Sequence, residues 1–170
     1  SSAANLKVWG LEVIVSENFT QTRTVTGMDP VAELDRPTGG VTLSAGGADA
    51  LPNVSIINCV IHHNTTNGIG AWNTKSGEIY GCLIYLNGFY WVPYYRGAAH
   101  GIYAHNTADQ SRSIESVISM RNAGSPIQFW GSADPPPATD MINHTVQKCL
   151  FWRGGEEWNN RSTSSTLGKH

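Results

Sequence analysis

The sequence predicts an all-β chain wound as a parallel β-helix of about five coils. The first of three observations is a short phrase that recurs four times between Asn53 and Trp152. Its copies are Ile56-Ile57-Asn58-Cys59-Val60-Ile61, Ile79-Tyr80-Gly81-Cys82-Leu83-Ile84, Ile114-Glu115-Ser116-Val117-Ile118-Ser119 and Val146-Gln147-Lys148-Cys149-Leu150-Phe151, and they align without a gap. The second is that each phrase holds short β-branched runs and no 3.6-residue apolar stripe, so the repeating unit is built of strands. The third is that such units, returning every 23 to 48 residues, bury a common core only by stacking.

The elements follow in order. Coil one is the faintest copy: Trp9-Gly10-Leu11-Glu12-Val13, Ser16 in the column held elsewhere by asparagine, a long insertion from Glu17 to Gly39, then Gly40-Val41-Thr42-Leu43-Ser44. Coil two runs through Ile56 to Ile61, Asn64, a three-residue turn from Thr65 to Asn67, and Gly68-Ile69-Gly70-Ala71-Trp72. Coil three repeats this with Asn87 and Gly101-Ile102-Tyr103-Ala104-His105, but carries residues 88–100 at the same corner. Coil four has Asn122, the short turn Ala123 to Ser125 and Pro126-Ile127-Gln128-Phe129-Trp130, and coil five ends near Gly154. Residues 1–155 thus form the repeat domain, and 156–170 read as a polar, flexible tail.

In stacked coils an alignment column becomes a physical ladder with rungs about 4.8 Å apart. Ile56/Ile79/Ile114/Val146 and Val60/Leu83/Ile118/Leu150 stay apolar throughout and are expected to face inward. Cys59, Cys82 and Cys149 are expected as buried thiols, since free cysteine behaves as a small hydrophobe. A Cys59–Cys82 disulfide is the alternative, but side chains that run parallel seldom meet its torsion, and three cysteines make no paired framework. Asn64, Asn87 and Asn122 are expected to form an amide ladder that satisfies backbone groups at a bend. Five Asn-X-Ser/Thr sequons occur, at Asn18, Asn53, Asn64, Asn143 and Asn160, but turns favour these residues for conformational reasons.

The net charge of −2 is uninformative, and no basic patch points to a nucleic-acid partner. No apolar stretch has the length of a membrane span, and no cofactor motif occurs. The sequence begins inside a coil, so its first rung is expected to be covered by more of a longer polypeptide or by a partner, with self-association through open β-helix ends as one outcome.

Function in a solenoid concentrates on the loops that interrupt the repeat. The insertions of coils one and three rise from one corner, with roots two rungs, roughly 10 Å, apart, and a groove between them is expected. One wall is Phe89-Tyr90-Trp91-Val92-Pro93-Tyr94-Tyr95-Arg96; the other contains Arg23, Asp29, Glu33, Asp35 and Arg36. Alternation along the second phrase places Gly70/Tyr103/Gln128 and Trp72/His105/Trp130 outward beside it. Aromatic platforms next to carboxylates and arginines suit a glycan, whose rings stack on one face and hydrogen-bond at the rim. The competing reading is that the aromatics cover the protein's own apolar surface or meet a neighbouring subunit. His62-His63 and the His100/His105 pair raise a metal site, but the latter spacing points to opposite faces of a strand, and no metal is expected.

Through Glu78-Ile79-Tyr80-Gly81-Cys82-Leu83-Ile84-Tyr85-Leu86-Asn87-Gly88, His100-Gly101-Ile102-Tyr103-Ala104-His105-Asn106 and Val8-Trp9-Gly10-Leu11-Glu12, the chain resembles bacterial right-handed parallel β-helix repeat proteins of the pectate-lyase-like superfamily. The resemblance spans about residues 6–153. It implies a right-handed fold, a secreted or cell-surface setting, and company that includes polysaccharide lyases, glycoside hydrolases, tailspikes and adhesins. The acidic calcium cluster of the lyases and the paired aspartates of the hydrolases are not visible on the strands here. The expectation is therefore a glycan site with Trp72, Trp91, Tyr95, Tyr103, His105 and Trp130 as binding residues. Were it to cleave, Asp35, His100 and Arg96 would serve as acid, base and anion stabiliser. The alternative is a structural segment of a surface fibre, adhesin or filament.

Overall fold

The computed structural model describes residues 5–14, 24–26, 40–43, 53–64, 66–71, 76–88, 90–92, 100–105, 111–130 and 144–154, with only the backbone at 24–26, 90–92, 105 and 130. These residues form sixteen strands and no helix. Coil one supplies β1 (Leu6–Trp9), β2 (Glu12–Val13), β3 (Thr24–Thr26) and β4 (Val41–Leu43), and coil two β5 (Val54–Ile57), β6 (Val60–His62) and β7 (Ile69–Ala71). Coil three adds β8 (Ser76–Tyr80), β9 (Leu83–Tyr85), β10 (Tyr90–Val92) and β11 (Ile102–His105). Coil four has β12 (Ser111–Glu115), β13 (Ile118–Met120) and β14 (Ile127–Trp130), and β15 (His144–Gln147) and β16 (Leu150–Trp152) follow.

Three parallel sheets wrap one core. The first runs β1-β5-β8-β12-β15, the second β2-β6-β9-β13-β16 and the third β4-β7-β11-β14, with every neighbouring pair parallel. Each strand thus pairs with its counterpart one coil away, which is why the phrases could be aligned without gaps.

The corner between the first two sheets is made by one left-handed residue per coil: Gly10, Asn58, Gly81, Ser116 and Lys148 have φ of 67°, 52°, 64°, 55° and 55°. A second column, His63, Leu86, Arg121 and Arg153, turns the chain out of the second sheet with φ between 44° and 55°. Left-handed backbone is costly for a side chain such as leucine, and here the neighbouring rungs impose it.

The first expected ladder is present. Ile56, Ile79 and Ile114 stack in register with Val8 and Val146. The first three are buried, and Val146 on the last rung is 39% exposed. The second expected ladder is displaced by one residue. Val60, Leu83, Ile118 and Leu150 do share a column, but it faces outward: Ile118 is 40% and Leu150 56% exposed. The interior column is Val13/Ile61/Ile84/Ser119/Phe151, in which Ile61, Ile84 and Ser119 are fully buried. The left-handed corner residue is the cause. It aims the following cysteine inward, and alternation then sends the next residue out and the one after it in.

The three thiols are free, as expected; Cys59 and Cys82 are buried, whereas Cys149, on the last rung, is only half-buried because no described coil covers it. Each contacts two carbonyls, one two residues back and one on the preceding rung, as in Cys82 Sγ with Tyr80 O (3.4 Å) and Ile56 O (3.5 Å). Cys59 repeats this with Ile57 O and Val8 O, and Cys149 with Gln147 O and Ile114 O. Burial raises the Cys82 thiol to about 11, so it stays protonated.

The asparagine ladder is complete over its three rungs. Asn87 Oδ1 accepts from Asn64 N (3.2 Å) and Nδ2 (2.9 Å), and Asn122 Oδ1 accepts from Asn87 N (3.1 Å) and Nδ2 (3.0 Å). The same amides donate to Val13 O, Ile61 O and Ile84 O. All three side chains are buried, which takes Asn64 out of reach as a glycosylation acceptor. Gly68 and Gly101 open the second phrase because a Cβ would strike the next rung: at Gly68 it would meet Ile84 Cγ2 at 2.6 Å and Asn87 Nδ2 at 2.9 Å.

Toward the last rungs the interior turns polar. Arg112 occupies the inward column Leu6/Val54/Gly77/Arg112/His144, and burial lowers its guanidinium to about 10. His144 packs on Phe129 with ring centroids 4.6 Å apart, and neither of its buried ring nitrogens has a hydrogen-bond partner. Desolvation and the Arg112 charge pull it down to about 4.

Candidate functional site

The two insertions meet each other. β3 in the coil-one insertion pairs with β10 in the coil-three insertion, in parallel register with Thr24 opposite Tyr90, Val25 opposite Trp91 and Thr26 opposite Val92. Their roots are two rungs apart and separated by the short turn of coil two, so the walls lean together at this height. The open groove expected between them is closed along these three residue pairs, because unpaired strand edges that come within reach form a ladder.

On the third sheet the outward positions are as expected. Ile69 and Ile102 are fully buried, and Tyr103, in register with Thr42, Gly70 and Gln128, is half-buried on the outer face. His105 and Trp130 are directly paired two residues along the same strands. Gly70 leaves the Tyr103 ring without a bulky neighbour on the rung below.

His100 sits under this face at the corner. Its ring stacks on Tyr103 with centroids 5.7 Å apart and planes 23° apart. Its backbone N–H donates to Asn67 Oδ1 (2.8 Å), its carbonyl accepts from Gly68 N (2.9 Å), and its Nδ1 accepts from Ser125 N (3.0 Å). That last contact occupies a ring lone pair and puts the proton of the neutral ring on Nε2. The base role expected for it lacks the lone pair it needs. Burial raises the Tyr103 hydroxyl pKa, which keeps the phenol a neutral donor and acceptor.

Of the residues nominated from sequence, His100 and Tyr103 are thus brought together, and Trp91, His105 and Trp130 are placed by strand position. Asp35, Arg96, Trp72 and Tyr95 lie outside the described residues.

A second constellation lies on the other side of the coil-two turn, on the outer face of the second sheet. His62 Nε2 is 2.8 Å from Glu12 Oε1, and His62 Nδ1 is 2.7 Å from His63 Nδ1. Tyr85, in register with His62 on the next rung, stacks on it at 4.8 Å with planes 7° apart, and His63 meets both rings edge-on. The sequence displays the His62-His63 pair but not its partners; Glu12 and Tyr85 come from the coils below and above. The alignment signals Tyr85, which it sets in the His62 column, but not Glu12, which it sets opposite Val60. No group of three or more metal-ligating side chains occurs among the described residues, and they contain no helix long and apolar enough to cross a membrane.

A family model described as a right-handed β-helix region matches residues 12–164. The chain belongs to the right-handed β-helix family. No curated protein and no solved structure matches it. Membership in this family fixes the winding of the coils and leaves activity to the site.

Proposed function

We propose that this right-handed β-helix protein recognises carbohydrate in a secreted or cell-surface setting, on the outer face of its third sheet beside the corner from which the two insertions rise. The observation that carries this reading is the Tyr103–His100 stack, a partly exposed aromatic platform backed by a second ring that a backbone N–H holds in place. Next to it, on a flat sheet, stand the paired positions of His105 and Trp130. A pyranose takes its apolar face from such a ring and its hydroxyl contacts from the donors around it. Trp72, Trp91 and Tyr95 are the further binding residues of this reading. Cleavage, as a polysaccharide lyase or glycoside hydrolase, is its finer form, with Asp35 and Arg96 as acid and anion stabiliser. The test is affinity electrophoresis against neutral and acidic polysaccharides, with a reducing-end assay alongside. Binding that weakens at least tenfold in Tyr103→Ala is expected; binding unchanged in that variant would remove this face from consideration.

A second reading is favoured by a separate observation. Inward columns end on the first and last rungs in Leu6, 45% exposed, and Val146, 39% exposed, while their equivalents on inner rungs, Val54, Ile56, Ile79 and Ile114, are buried. A further coil, from the same polypeptide or from a second copy, would cover them, as in a fibre or adhesin assembled by stacking. Light scattering separates this from the first reading. Elongated oligomers that dissociate in Val13→Pro support it, and a dilution-insensitive monomer opposes it.

A further inference from the structure

We propose that the outer face of the second sheet is a docking surface for a second copy of this chain, turned end for end, so that two solenoids pack side by side. This surface is neither the third-sheet face nor an open end of the solenoid, and it is therefore independent of both readings above.

The left-handed corner residues create the face. By shifting the alternation, they send two largely apolar columns outward. The first is Glu12/Val60/Leu83/Ile118/Leu150. The second is His62/Tyr85/Met120/Trp152, which Ile14, the residue just past β2, extends to the first rung. Ile14, Ile118, Leu150 and Trp152 are each between 40% and 56% exposed, and Val60, Leu83, Tyr85 and Met120 are partly so. The two remaining members, Glu12 and His62, are bonded to each other at 2.8 Å. On the first sheet the outer face presents Lys7, Ser55, Glu78, Ser113 and Thr145 in one column, as a sheet facing water should. Exposed aliphatics joined by Tyr85, Met120 and Trp152, with Arg121 and Arg153 at the adjoining corner, have instead the make-up of a protein interface.

Charge selects the occupant and its direction. The Glu12 carboxylate is drawn toward the second column by His62, and its side chain is 66% exposed. Arg153 lies over the Trp152 ring, 4.9 Å from its centre, at the last rung of the same column. The face is thus acidic at one end and basic at the other. A two-fold axis parallel to the strands and passing through the β9 rung lays the acidic end of each copy on the basic end of its partner. Leu83 and Tyr85 then meet their own counterparts, Val60 meets Ile118, and Ile14 meets Trp152. Every contact is made twice, as a closed two-fold interface requires. Shape agrees with this choice. The register holds without a slip over five rungs, so the face is flat for roughly 20 Å, and a flat sheet is best matched by another flat sheet, about 10 Å away. These side chains are fewer than the roughly 20–30 residues a side of a standard interface, so a dimer of micromolar strength is expected.

Sedimentation of the whole chain over a concentration series tests this. A closed species of two chains is expected, with no larger members. Ile118→Glu adds a charge to an already exposed position and should weaken the association by roughly a hundredfold or more, since the two-fold axis buries the new carboxylate twice. Ser113→Glu, on the outer face of the first sheet, should leave it unchanged. Glu12→Arg sets arginine against Arg153 of the second copy and should weaken association about tenfold, and Arg153→Glu in the same chain should restore it. A chain that stays monomeric up to roughly 100 μM would overturn the proposal, whether or not it binds another partner. So would a dimer that survives Ile118→Glu, open-ended oligomers that persist in that variant, or a charge exchange that fails to restore what Glu12→Arg removes.

Discussion

Asn64–Asn87–Asn122 and Glu12–His62–Tyr85 both step from rung to rung, one inside the solenoid and one on its outer surface. The inner series places the same residue on three successive rungs. An amide can donate to the rung above and accept from the rung below at once, so identical copies satisfy one another along the stack. The outer series places a carboxylate, an imidazole and a phenol on successive rungs, an order that has a direction and cannot be extended by repetition. Repetition of one residue thus marks what holds the coils together, and departure from it on the outer face marks where chemistry can be sited.

The largest effect that would break this contrast is expected inside. Asn87→Ala removes the acceptor of two bonds and the donor of two more, and should cost about 3–5 kcal/mol at roughly 1–3 kcal/mol per buried group left without a partner. Urea unfolding measures it. An effect under about 1 kcal/mol would make the ladder ornamental. Next comes the corrected register. Ile84→Ala should cost about 2–5 kcal/mol as a core truncation, while Ile118→Ala, one position before the equivalent interior residue on the following rung, should cost less than about 1 kcal/mol. Equal costs would restore the register expected from sequence.

A smaller effect, dependent on pH, is expected at His144. Its folded value is held near 4 against an ordinary 6.5, so the unfolded chain binds the proton first. Stability should be full above about pH 6.5, decline as the pH falls toward 4, and level off below that. His144→Phe should flatten that part of the profile; an unchanged slope would assign it to other groups. The smallest effect is expected on the outer face, where Lys148 meets Glu115 at 2.7 Å with the lysine side chain 70% exposed. Lys148→Ala should leave the urea midpoint unchanged, because exposed ion pairs contribute little.

The fold was legible because stacking converts sequence columns into contacts. The Ile56 column, the free cysteines and the asparagine ladder all follow from alignment and alternation. The second apolar column faces outward although it never turns polar, because the left-handed turn at Asn58, Gly81 and Ser116 shifts the alternation by one residue and apolar composition alone does not display that shift. At the site, alternation was enough to set Tyr103 outward, and His100 came with it. It could not give the tautomer of His100, which is fixed by a backbone N–H from Ser125 on the next coil, nor the union of Glu12 with His62, whose side chains meet across 50 residues. The convergence of the two insertions was hidden for the same reason: the length of a loop gives its reach but not its partner.

That convergence bears on how the molecule comes apart. In a plain solenoid each coil touches only its neighbours, so unfolding can fray inward from an end one rung at a time. The β3–β10 pairing joins coil one to coil three across the coil between. Coil one cannot detach without also breaking a contact to the third, and the first three coils are thereby tied into a single cooperative block. Hydrogen exchange should show one shared opening event there, and a graded series of protections in the rungs beyond.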